Sequence, residues 1–185
     1  MTTSTITTPT ELSVESPKLT LSLGSTRIIS AIAFFAIIVG AFAALGGVFG
    51  AVYTYREAAA QDITTPSDAP IADAAVRGPF TMWSQSEIIT HHQLDNTDGL
   101  YYSQMDRQVA AVDEAGNAIL DEAGGPVMVA NEARLSWITA TSLTTALGLG
   151  IISYALSAFA IVVGLTMVML GWVVLKLRNA PVSVA

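Results

Sequence analysis

Two long apolar runs, residues 28–53 and 135–175, divide the chain into a polar tail, a first run, a mixed middle, a second run and a short tail. The first run is 26 residues long, and roughly 20 suffice to cross a bilayer. Tyr53 and Tyr55 stand at its far end, where amphipathic rings favour the membrane interface. Its length and thin basic flank read as an uncleaved anchor rather than a signal peptide. The second run contains no acidic or basic side chain and covers 41 residues. That is about 62 Å of helix at roughly 1.5 Å per residue, twice a hydrocarbon core of roughly 30 Å. Trp137, Thr139, Thr141, Ser142, Thr144 and Thr145 make its first part more polar. The helix is therefore expected to start outside the membrane near residue 131, with the span proper at residues 149–175.

Small residues recur inside both runs. Gly150, Ser157, Gly164 and Gly171 fall every seven residues, with Ala146, Ser153 and Ala160 as companions. The first run carries Ala33, Ala36, Gly40, Ala43, Gly47 and Gly50 in the same rhythm, and Gly46 with Gly50 makes a GxxxG. A seven-residue repeat keeps one face of a helix against a partner, and small side chains let two backbones approach in lipid. The pattern predicts a transmembrane hairpin packed through Gly40, Gly47, Gly50, Gly150, Ser157, Gly164 and Gly171. Val168, off the glycine heptad, is expected to face lipid.

The middle, residues 54–148, reads as a small domain of helix plus β-hairpin. Residues 61–76 are rich in Pro, Asp, Ala and Thr, and Pro66 and Pro70 oppose helix, so an extended linker is expected there. Ser84 followed by Glu87 suggests a capping box that starts a short helix carrying Ile88, Ile89 and Leu94. The turn residues at 95–99 end it, and residues 100–107 permit a second short helix. Two copies of AspGluAlaGly, beginning at Asp113 and Asp121, separate β-prone runs and predict a hairpin or short meander.

Charge orients this arrangement. The net charge is −7, yet the middle holds thirteen acids against four arginines. Lys18 and Arg27 precede the first run, and Lys176 and Arg178 follow the second. The positive-inside rule then puts both termini in the cytoplasm of a plasma-membrane protein and the acidic domain outside. The first 26 residues are half Ser and Thr, so residues 1–27 are expected to be a disordered tail, with residues 176–185 as a second tail. A mean hydropathy of +0.55 suits a bilayer protein. An acidic surface is a poor partner for nucleic acid, and the chain has no cysteine for disulfide or thiolate chemistry.

Candidate chemistry is sparse. His91 and His92 are adjacent and point about 100° apart on a helix, so Glu87 with His91 is the better ligand pair, and two ligands are too few for a metal site. The 95–99 turn does not fit a calcium loop, because Leu94 would occupy the first ligand position and Met105 the bidentate one. Neither run carries an ionisable group for a haem or a proton relay. No catalytic residue, metal site or cofactor is expected. The residues proposed to meet a partner are Trp83, His91, Tyr101 and Tyr102.

The order of motifs resembles one family. A transmembrane helix, an Asp62-Ile-Thr-Thr linker, Gly78-Pro-Phe, the Ser-Glu-Ile-Ile and His-His-Gln-Leu helix, Leu100-Tyr-Tyr-Ser-Gln-Met-Asp and Thr141-Ser-Leu-Thr-Thr-Ala-Leu look like a family of small actinobacterial two-span membrane proteins. The likeness covers about residues 45–175, with residues 113–128 as an insertion. Members often carry the label aromatic ring-opening dioxygenase small subunit. Such an iron enzyme needs convergent His and carboxylate ligands, which His91 and His92 do not supply. The chain also resembles accessory subunits of the actinobacterial supercomplex joining a cytochrome bc complex to cytochrome c oxidase. The resemblance implies a non-catalytic accessory or assembly subunit whose partners are integral membrane proteins. The competing readings are a free-standing metal-binding or redox enzyme using His91 and Glu87, and a sensor regulated by phosphorylation of its tail.

Overall fold

The structure, a computed structural model, describes residues 23–178. Its elements are α1 (Leu23–Ala60), α2 (Pro79–Asp95), a single 3-10 turn (Tyr102–Gln104), β1 (Gln108–Ala110), β2 (Met128–Ala130) and α3 (Glu132–Arg178). Most of the two expected tails lies outside the described residues. Residues 23–27, expected as tail, already belong to α1, and Lys176 and Arg178 belong to the last turn of α3.

The spine of the fold is α3. At 47 residues it is about 70 Å long at about 1.5 Å per residue. It begins beside the expected residue 131, where Asn131 Oδ1 accepts the Arg134 N–H at 3.1 Å and so satisfies one orphan donor of the first turn. The helix α1 runs antiparallel along its C-terminal half, and α2 runs antiparallel along its N-terminal half. Both α1 and α3 are long and apolar enough to cross a membrane. Away from their contact they present large apolar side chains, among them Phe35, Phe42, Phe49, Phe159, Leu165 and Met169, with no protein covering them.

The stretch expected as an extended linker is folded. Thr65 N–H donates to Ala74 O at 2.9 Å and Val76 N–H to Ile63 O at 2.9 Å, closing a tight loop in which Thr65, Ala69 and Val76 are buried. Thr65 Oγ1 bridges that loop internally, accepting from Ala74 N at 2.9 Å and donating to Ile71 O at 2.6 Å. Asp62 and Asp73 take left-handed backbone conformations, φ 49° and 50°, which Asp tolerates better than most residues.

Ser84 does not start a helix. The N-cap of α2 is Gly78, with Pro79 at the first helical position, where a fixed φ suits the helix and the missing N–H is no loss. Thr81 Oγ1 accepts the Gly78 N–H at 3.2 Å. Ser84 lies one turn inside, 0% exposed, and its hydroxyl accepts the Ile71 N–H at 2.8 Å. The capping signature therefore marks the bond that holds the 61–78 loop onto α2. The helix ends at the expected turn, where Gly99 N–H donates to Leu94 O at 2.8 Å and Asp98 and Gly99 take positive φ. Instead of a second short helix, the chain makes only the 3-10 turn.

The acidic repeats build one turn twice. Asp113 Oδ1 accepts from Ala115 N at 2.9 Å and Asn117 N at 2.8 Å, and Asp121 Oδ1 accepts from Ala123 N and Gly125 N, each at 2.9 Å. Gly116 and Gly124 supply the positive φ that each turn requires. Between the turns, Ile119 N–H donates to Ala111 O, Val127 N–H to Ile119 O and Ala111 N–H to Val127 O. These three bonds close a triangle of short segments at the tip of the antiparallel β1–β2 pair, in which Val109 faces Val129.

Candidate functional site

The seven-residue stripes of α1 and α3 meet in register. A Cβ built on Gly40 would stand 2.6 Å from Gly164 O, one on Gly47 2.5 Å from Ser157 O, and one on Gly171 2.7 Å from Ala33 O. Ala33, Gly40 and Gly47 are buried on α1, facing Gly171, Gly164 and Ser157 on α3. No real side chain fits at such distances, so close backbone approach depends on the missing methyl groups. Gly50 joins the seam, its added Cβ lying 2.8 Å from Ser157 Oγ. Its GxxxG companion Gly46 does not, since no atom of another element lies within 4 Å of a Cβ placed there. The last rung is polar: Thr54 Oγ1 and Ser153 Oγ are 2.7 Å apart. Thr54 donates its hydrogen to Gly50 O at 2.9 Å, so Ser153 donates to Thr54.

Gly150 continues the stripe but has a different neighbour. Its added Cβ would lie 2.7 Å from Met82 Sδ of α2. The small-residue face of α3 thus passes from α1 to α2, and Tyr154 O–H donating to Arg77 O at 2.6 Å ties the loop before α2 to the same level. Further along, Gln93 Nε2 donates to Ser136 Oγ at 2.6 Å and Trp137 Nε1 to Leu100 O at 3.0 Å. Val168, expected to face lipid, is half-buried, and its backbone N would sit 3.0 Å from a Cβ on Gly40. Residues four apart share a helix face, and Val168 stands four beyond Gly164.

The four residues proposed for partner contact divide into two groups. Trp83 and His91 belong to one outward stripe of α2, Phe80, Trp83, Glu87 and His91, spaced by three and four residues, with Phe80 77% and Trp83 47% exposed. Tyr101 and Tyr102 sit at the foot of α3: the Tyr101 ring stacks on Trp137 at 5.4 Å, and the Arg134 guanidinium lies 3.7 Å over the Tyr102 ring. Beyond them the β arm leaves Val112, Ile119, Leu120 and Met128 uncovered, Leu120 at 60%. That apolar surface went unread in the sequence, although the β-prone runs between the acidic turns carried its residues.

The histidines have separate carboxylate partners. His92 Nε2 lies 2.7 Å from Asp68 Oδ2 and His91 Nε2 3.5 Å from Asp95 Oδ2, so Glu87 and His91 do not form the closest pair. The His92 bond holds the Asp68 carboxyl below its ordinary value. Among the described residues, no three His, Cys, Asp or Glu side chains gather where an ion could be held.

Comparison with known proteins adds no relative. No protein-family model matches the chain, and no match is found among the curated proteins or the solved structures.

Proposed function

We propose that the protein is a non-catalytic accessory or assembly subunit of a plasma-membrane complex, crossing the bilayer at residues 28–53 and 149–175, with both termini cytoplasmic and residues 54–148 outside. The observation that carries this reading is the apolar surface left uncovered by an otherwise acidic domain: Phe80 and Trp83 on α2, and Val112, Leu120 and Met128 on the β arm. Large exposed apolar patches on a small domain mark contact with protein or membrane. The glycine seam is occupied within the hairpin, so partners meet the outward faces of α1 and α3 and the domain surface. The actinobacterial supercomplex of a cytochrome bc complex with cytochrome c oxidase is the specific candidate. It rests on the likeness of small two-span membrane proteins of this general type to accessory subunits of that supercomplex.

Mild-detergent purification of a tagged chain tests the proposal. Haem-bearing bc and oxidase subunits are expected to co-elute with the wild type, with their absorption lost for Trp83→Asp while the hairpin stays folded. Recovery of the chain alone, free of haem proteins at any detergent strength that keeps it folded, contradicts the proposal.

A further inference from the structure

The first turn of α2 stands at the depth where α3 enters its expected span. Met82 packs on Gly150, and Tyr154 O–H donates to Arg77 O, so the N-terminal end of α2 is held beside residues 150–154. Because α2 runs antiparallel to α3, Phe80 lies about 3 Å deeper than Met82 at about 1.5 Å per residue, close to the level of Ile152 and of the Thr54–Ser153 rung. At 77% it is the most exposed large apolar side chain among the described residues. The other helices also point apolar side chains outward at this level, Tyr53 on α1 and Leu149 and Ile152 on α3. Arg56 and Glu57, the first charged residues after the apolar run of α1, are exposed about one turn further out.

The outward stripe of α2 changes character with depth. Phe80 and Trp83 stand at its membrane end, and the exposed Glu87 and His91 follow, about 10 and 16 Å above Phe80. A protein surface laid along the stripe imposes no such order, whereas a bilayer boundary does: apolar rings favour the interfacial layer and ionisable groups the water above it. The backbone at this end is also suited to a partly dehydrated layer. Pro79 brings no N–H, and Thr81 Oγ1 accepts those of Arg77 and Gly78, each at 3.2 Å, which reduces the bare donors of a helix start. We propose that the first turn of α2 is seated in the outer interfacial layer of the bilayer, with the Phe80 ring among lipid headgroups and the upper acyl chains. Trp83, one turn further out, stays available to the protein partner, which then meets it at the membrane surface. The inference rests on the reading of α1 and α3 as membrane spans.

The test uses the full chain in phosphatidylcholine nanodiscs. Because the chain has no cysteine, a nitroxide is attached singly through Phe80→Cys, Glu87→Cys, Phe42→Cys or Ala115→Cys, all at exposed positions. Electron paramagnetic resonance then reads the collisions of each label with oxygen, which concentrates in lipid, and with nickel ethylenediaminediacetate, which stays in water. The oxygen-to-nickel ratio at position 80 is expected to fall between those at positions 42 and 115, and the ratio at position 87 to match that at 115. Equal ratios at positions 80, 87 and 115, or a label at position 80 closed to both reagents as it would be beneath a second copy of the chain, overturn the proposal. A label at position 42 as open to nickel as that at 115 refutes the membrane reading instead, which separates the two failures.

Discussion

At Gly164 an added Cβ would lie 2.5 Å from Ala44 N and from Gly40 O, so any larger residue must drive the two helices apart. Overpacking of this kind costs about 1–3 kcal/mol and more for a full side chain. Gly164→Leu is expected to lower the unfolding midpoint of the detergent-solubilised chain by several degrees or to prevent its recovery, whereas Met169→Leu, on the outward face, leaves the midpoint unchanged. Val168 is unsuited as that control because it shares the seam face. Ser84 supports a second residue-scale prediction: Ser84→Ala strips the partner from the Ile71 N–H, and an unsatisfied buried donor costs about 1–3 kcal/mol. Amide exchange at Ile71 should quicken by roughly fivefold or more, with α2 retained. Ser84 looked like a cap because Glu87 follows it at capping-box spacing, but Pro79 had already started the helix.

The seven-residue stripes were legible at the scale of elements because volume alone makes them work, and glycine shows its volume in the sequence. The turns at Asp113 and Asp121 were legible for a similar local reason. The 61–78 loop was not, since it is held by Thr65, by Ser84 from another element and by the Asp68–His92 bond, none of which follows a period. The hand-over of Gly150 from α1 to Met82 was equally hidden, because a stripe on one helix does not say which neighbour fills it. The β arm gives the pH prediction. Hydrogen bonds from Asn117, first through its backbone N–H, hold the Asp113 carboxyl below its usual value. A depressed carboxyl contributes stability above its unfolded value and loses it as pH falls through the folded one. The first arm turn should therefore keep its full stability above about pH 4 and lose it progressively as the pH falls below that value. Amide exchange at Ala115 and Asn117 in an acid titration, compared with Asp113→Asn, checks this, and an unchanged profile down to pH 2 would refute it.

For the whole molecule, length and hydropathy announced two helices long and apolar enough to cross a membrane and an intervening domain, and α3 is what joins them, one helix serving both the helix pair and the domain. The side of the membrane proposed for the domain rests on the charge pattern of the sequence alone, in which Lys18 and Arg27 precede the first run, Lys176 and Arg178 follow the second, and thirteen acids lie between the runs. The chain has no cysteine, so single cysteines report without background. The most direct test of the membrane-hairpin account is labelling of intact spheroplasts with a membrane-impermeant maleimide, comparing Ala115→Cys in the β arm with Lys176→Cys at the end of α3. Ala115→Cys is predicted to label in intact cells and Lys176→Cys only after lysis; labelling of Lys176→Cys in intact cells, or of both sites alike, would contradict it.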